Sequence, residues 1–219
     1  MNKLMKEVIL WIFILLPFIY LFMIWDKLPE TVPTHFNIKG EADDWSHKTM
    51  LIYLPSMLGI GVYLLMLVIP SIDPKKRIAE MGEKFYMIRF ITVVFMSVLS
   101  LYILYTTQSG SMSGGNFFLV ITGAFFAAVG NYMQAMRPNY FVGIRTPWTL
   151  ESEEVWKNTH RLGGKIWMIG GSMIVLLALL IHNQKTVFIV FMVMVFILAG
   201  VPIIYSYIDF KRMKARSSQ

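Results

Sequence analysis

A chain of 219 residues with 56% hydrophobic and only 15% charged residues, and a mean hydropathy of +0.59, lies far from soluble composition, where charged residues alone reach about 25%. Its 17 Met, 16 Phe, 10 Tyr and 6 Trp are spread along the whole length, which excludes disorder. The lack of any Cys excludes disulfides, thiolate nucleophiles and Cys-containing metal sites, and the net charge of +7 carries meaning only once it is located.

Crossing ~30 Å of hydrocarbon takes roughly 20 helical residues, and six charge-free stretches approach or exceed that length: 8–25, 49–72, 90–106, 117–136, 166–181 and 186–208. The first follows Lys3 and Lys6 as a signal core would. It is longer than the roughly 7–15 residues of such a core, and Trp25-Asp26-Lys27-Leu28 offers no small-residue cleavage site, so it reads as a retained helix.

The outer connection 26–48 follows. Val32, Thr34, Phe36 and Ile38 alternate with Pro33, His35, Asn37 and Lys39, a period of two that predicts an extended segment. Pro29 and Pro33 stiffen its entry, and Lys39-Gly40-Glu41 predicts a turn before Asp43, Asp44 and Trp45. His35, His47, Glu41, Asp43 and Asp44 include metal-ligand types, but their spacing matches no ligand motif, and hydrogen bonds within the loop are the favoured reading. No metal and no cofactor are expected.

Spans three and five are short and borrow from their flanks at 86–88 and 163–165. The fourth is the weakest: its eight Leu, Ile, Phe and Val residues supply roughly −2 to −5 kcal/mol on the insertion scale, against Asn131 and Gln134 near its end. These two amides lie three apart on one face, where bonding to a neighbouring helix is the commoner role. Gly123 and Ala127 in the fourth span, and Gly163-Gly164 and Gly170-Gly171 in the fifth, predict that these two helices pack closely. The sixth span is strongly apolar, so Pro202 kinks it rather than expelling it.

Between spans four and five, the connection 137–165 is punctuated by Pro138, Gly143 and Pro147. Arg137 and Arg145 bracket it, and Arg145 near Trp148 offers a planar cation for an aromatic ring, carboxylate or phosphate. An Arg and a Trp that merely mark the interface weigh equally. Ser152 is predicted to cap a short amphipathic surface helix, with Glu153 and Glu154 in its first turn and Lys157, His160 and Arg161 near its end. Glu154, His160 and Arg161 are raw material for hydrolysis, yet no nucleophile or metal accompanies them, so no enzyme is expected.

Sixteen of the twenty Lys and Arg residues fall at the N-terminus, in the second and fourth connections and in the tail; Lys27, Lys39, Lys48 and Lys185 lie on the other side. The positive-inside rule then puts both termini in the cytoplasm, and the net charge is a topology signal touching anionic lipid rather than a nucleic-acid footprint. The fold class is all-α: a polytopic integral membrane protein with six transmembrane helices, cytoplasmic termini and one short interfacial helix in the fourth connection.

Gly130-Asn131-Tyr132-Met133-Gln134, then Asn139, then Gly143-Ile144-Arg145-Thr146-Pro147-Trp148-Thr149-Leu150, then Glu154-Val155-Trp156 and Arg161, resembles the signature of the SdpI family of bacterial membrane proteins. The outer stretch from Leu28-Pro29 to Trp45 resembles DUF1648, a small domain that often precedes it. The resemblance implies a division into 1–72 and 73–219 within one structural unit. It also implies a place in the bacterial inner membrane and an immunity protein that protects a cell from its own secreted toxic peptide, with a second role in signalling by holding a cytoplasmic repressor at the membrane. The partners so implied are membrane lipids, a peptide on the outer side and a repressor inside. The rival class, a small transporter or flippase, predicts polar residues lining a midplane path, and the spans offer only Asn131, Gln134 and scattered Ser, Thr, Tyr and Gly.

Overall fold

The structure, a computed structural model, describes residues 2–37, 41–111, 115–181 and 183–217. It contains six helices long and apolar enough to cross a membrane: Lys3–Lys27, Met50–Ile72, Glu83–Ser109, Asn116–Met133, Glu153–Leu180 and Lys185–Arg216. The fourth is the least apolar, as the residue count predicts, and at 18 residues it is also the shortest, whereas the third and fifth, expected to be short, extend to 27 and 28 residues through their flanks.

Helix α1, Lys3–Ile24, starts where Asn2 Oδ1 accepts from the Met5 N–H at 2.8 Å, satisfying one of the donors that a helix start leaves open. The second span is α2, Met50–Pro55, and α3, Val62–Ile72, joined by a π-helical stretch Ser56–Gly61. Pro55 supplies no N–H, and the wider turn after it presents Gly59 to Ile14 of α1. After α3, Asp73 is buried and its carboxylate accepts from the Ile78 N–H at 3.0 Å, folding the second connection back toward α4, Glu83–Ser109.

The outer connection is an antiparallel hairpin of β1, Thr31–Phe36, and β2, Ala42–His47, with Thr31 opposite His47 and Val32 opposite Ser46. The extended conformation is as predicted but the alternation of faces is not: Val32 and Pro33 are both buried, Thr34 and His35 both exposed, and the register shifts around His35. Lys39 and Gly40 of the predicted turn Lys39-Gly40-Glu41 lie outside the described residues. Val32 is fully buried among Leu21, Ile24, Leu28, Leu51 and Leu104, so the hairpin sits on the outer ends of α1, α2 and α4.

The rest comprises α5, Gly115–Met133; α6, Pro147–Glu151; α7, Glu153–Leu180; and α8, Gln184–Ser217. Helices α5 and α7 meet backbone to backbone. A Cβ on Gly130 would lie 2.6 Å from Met168 N, and one on Gly171 would lie 2.5 Å from Ala127 N. The adjacent glycines serve another neighbour: Gly163 faces Ile144 and Pro202, and Gly170 faces Leu198 of α8. The paired glycines thus open two faces of one helix, a refinement of the single packing face expected.

One expectation is corrected. Ser152 does cap a helix, its Oγ accepting from the Val155 N–H at 3.4 Å, but that helix is α7, which runs unbroken through Gly163-Gly164 to Leu180. A glycine in a helix interior costs roughly 1 kcal/mol relative to alanine, and the close contacts that only these glycines permit offset it. The short helix of the connection is α6, which starts six residues before the predicted one.

Candidate functional site

The inner connection 134–152 is shaped by side chains that bond to its own backbone. Asn139 is buried and uses all of its amide: Nδ2 donates to Arg137 O at 2.8 Å and Val142 O at 3.0 Å, and Oδ1 accepts from the Phe141 and Val142 N–H groups at 2.8 and 2.7 Å. Pro138 before it and Gly143 after it let the chain reverse. Gly143 has φ +114°, and a Cβ there would lie 2.4 Å from His160 Nε2.

His160 is the hub that holds this turn against α7. It is buried and stacked on Trp156, with ring centroids 4.1 Å apart and planes 18° from parallel. The Ile144 N–H donates to Nε2 at 3.0 Å, and Nδ1 bonds the Trp156 carbonyl at 2.9 Å. An N–H donor on Nε2 and a carbonyl on Nδ1 require the neutral imidazole with its proton on Nδ1. Both nitrogens are consumed, so the ring has no lone pair left to act as a base in this arrangement. Trp156, equally buried, donates from Nε1 to Met136 O at 2.8 Å, and packs among Met66, Ile78, Phe85 and Met133.

Helix α6 completes the plate. Thr146 and Thr149 form a reciprocal cap, and Pro147 occupies the first turn, where its missing N–H is no loss. Thr149 Oγ1 also bonds Ile144 O at 2.8 Å, and Thr146 Oγ1 meets Ser206 Oγ of α8 at 3.0 Å. The connection is therefore tied to α7 through His160 and Trp156 and to α8 through Ser206.

The charged and exposed candidates surround this plate. Arg137 pairs with Glu80 of the second connection, and Arg77 pairs with Glu153 at 2.7 Å. Arg145 turns back to donate to Tyr140 O, while Trp148 meets Tyr207 of α8 at 4.9 Å between ring centroids. The expected neighbourhood of Arg145 and Trp148 therefore resolves into two separate contacts. Glu154 and Arg161 are exposed on α7. Asn131 and Gln134 are exposed, and among the described residues neither side chain bonds a neighbouring helix, contrary to the expected role as helix glue.

On the opposite face, Glu30 accepts from Lys48 Nζ at 3.0 Å and contacts His47 Nε2 at 3.1 Å, closing the base of the hairpin. Lys48 above all, through its hydrogen bond and charge, and then His47, hold the Glu30 carboxyl below its usual value. His35 Nδ1 lies 2.6 Å from Asp43 Oδ1, and Trp45 and Pro29 are exposed. Beneath β1 lies a mostly apolar cleft of about 440 Å³, lined by Pro33, His35, Phe36, Leu54, Tyr102 and Thr106 among others.

Sequence reasoning missed a further cluster at the inner end of α1. Arg89 pairs with Glu7, Tyr63 donates to the other Glu7 oxygen at 2.8 Å, and the guanidinium lies over the rings of Tyr63 and Tyr86. The charge bias alone places Arg89 among the inside cations of the second connection. The signal available was that both it and Glu7 sit at the edge of an apolar run, where an ionised side chain needs a partner.

Comparison with known proteins bears on this geometry. Residues 135–206, which carry the plate, α7 and most of α8, match the SdpI/YfhL protein family, and residues 12–60, which carry the hairpin, match DUF1648. The chain is 26% identical over 210 residues to Immunity protein SdpI of Bacillus subtilis (strain 168), covering 95% of this chain and 97% of that relative. No solved structure matches the chain. It is a multi-pass protein of the cell membrane in which a region matching the SdpI/YfhL family follows a segment matching DUF1648.

Proposed function

We propose that this is a membrane immunity protein that protects its cell against a secreted, membrane-active toxic peptide. The observation that carries the reading is the match to a relative named as an immunity protein, which runs nearly end to end on both chains rather than over one segment. The architecture suits it. The hairpin and the cleft beneath it offer the apolar side chains of such a peptide an entry at the outer ends of the helices. The plate at the inner end is a rigid surface with Arg145, Glu154 and Arg161 exposed around it, fit for a cytoplasmic protein such as a repressor. Coupling between the two faces requires that a ligand on one prefer one of two arrangements of the bundle.

The test is a challenge of cells that are sensitive to a toxin of this family. Cells given this gene survive, and cells with an empty vector do not. Equal killing, with the protein present in the membrane at normal abundance, overturns the reading. Arg145→Ala and Trp148→Ala are expected to abolish protection without changing membrane abundance. Full protection by both variants removes the plate from the function. Capture of a repressor is tested separately, by asking whether it sediments with membranes only when the protein and toxin are both present.

A further inference from the structure

Beside the plate, α7 and α8 leave a shallow cleft of about 220 Å³ lined by Asn158, Arg161, Leu162, Lys165 and Tyr205. Arg161 and Lys165 stand one turn apart on the same helical face, both exposed. Among the described residues neither forms an ion pair. The nearest acid on the facing helix, Asp209, accepts instead from Asn158 Nδ2 at 3.0 Å. Like charges at this spacing cost an isolated helix a few tenths of a kcal/mol, so the pair is poised for an anion that the protein does not itself supply.

The position of the cleft says which anion. Lys165 is the last charge before the charge-free run 166–181, and Tyr205 lies four residues inside the first charge that ends the sixth span, Asp209. Two cations and a phenol therefore sit where hydrocarbon gives way to headgroups, the level at which tyrosine and basic side chains are enriched. Toward the membrane centre the same helices expose Met168 and Ile169 on α7, a turn beyond Lys165, and Ile197 and Val201 on α8, at four-residue steps from Tyr205, an apolar wall above the cations. A free phosphate has no use for such a wall. An acyl chain attached to a phosphate does.

We infer that this cleft binds the phosphate of an anionic phospholipid, with Arg161 and Lys165 on the phosphate, Tyr205 at the glycerol level and the acyl chains along Met168, Ile169 and Val201. Basic pockets between membrane helices on the side rich in Lys and Arg suit such headgroups. Arg161 also borders the plate, but lipid retention is read without reference to protection, so this site and the immunity function fail separately.

The experiment uses the purified full-length protein in detergent, with native mass spectrometry reading bound lipid. Phosphatidylglycerol is retained in preference to phosphatidylcholine. Arg161→Gln and Lys165→Gln together reduce that retention about tenfold to thirtyfold, the effect of two cations near a headgroup. The control Lys211→Gln with Arg212→Gln, which removes the same charge elsewhere on the inner face, leaves it unchanged. Because all four side chains are exposed, folding is checked by the thermal midpoint, and Tyr205→Phe provides a second variant with a smaller loss. Retention that falls equally in the control assigns the effect to overall charge and overturns the site. Displacement of the lipid by millimolar inorganic phosphate overturns the lipid assignment, as does equal retention of the zwitterionic lipid.

Discussion

Asn139 bonds four backbone groups of its own loop, and no other side chain of that length carries two donors and two acceptors in one plane. Asn139→Asp keeps the shape and loses both donors, leaving two buried carbonyls unpaired at about 1–3 kcal/mol each. A fall in thermal midpoint is expected for Asp as well as for Ala, measured on the detergent-solubilised protein. Gly143→Ala tests the same turn from the other side. It meets a disfavoured backbone conformation, of the order of 1–3 kcal/mol, together with a close approach to His160, so its midpoint falls further than that of Gly110→Ala, where φ is also positive but nothing crowds the Cβ. Glu30 gives a pH signature. Its folded value is held below that of the unfolded chain, so its contribution is present above the usual carboxylate range and is lost as pH falls through the depressed value. Amide protection of Val32 and Ser46, corrected for intrinsic exchange, is expected to drop as the pH is taken below about 4, and Glu30→Gln to flatten that dependence.

At the scale of elements, the contact of α5 with α7 is made where side chains are missing. Gly130→Val forces the two backbones apart, and a lower midpoint with faster proteolysis at 134–152 is expected; Gly200→Val, where a Cβ meets open space, serves as the control. This packing was legible in the sequence because small residues recur at helical spacing in two neighbouring apolar runs. The extended course of β1 was legible through the period of two around Val32, Thr34 and Phe36, but its pairing with β2 and the irregular register around His35 were not. The continuity of α7 was not legible, because local propensity marks Gly163-Gly164 as a helix end and only the neighbours that press on those glycines reverse that preference. Nor could spacing show which candidate residues of the connection shape it and which face outward. Asn139, Thr146 and Trp156 are turned inward by bonds to backbone and to distant helices, and Arg145, Glu154 and Arg161 outward, a division that follows from the tertiary fold alone.

For the whole molecule, six spans put both ends of the chain on one face, and the bias of Lys and Arg makes that face the cytoplasm. The chain lacks cysteine, so single cysteines report sidedness without background. Trp45→Cys is expected to react with an impermeant maleimide on intact cells, and Tyr140→Cys only after the membrane is opened. Labelling of Tyr140→Cys on intact cells would invert the molecule and detach the plate from any cytoplasmic partner. The pair of Glu7 with Arg89 bears on how the bundle is built. The carboxylate enters with the first helix, yet its guanidinium partner is synthesised 82 residues later. The opening helix therefore reaches its final seat only after the third has left the ribosome, and a chain truncated before Arg89 is expected to hold its N-terminal segment loosely and to be cleared by quality-control proteases.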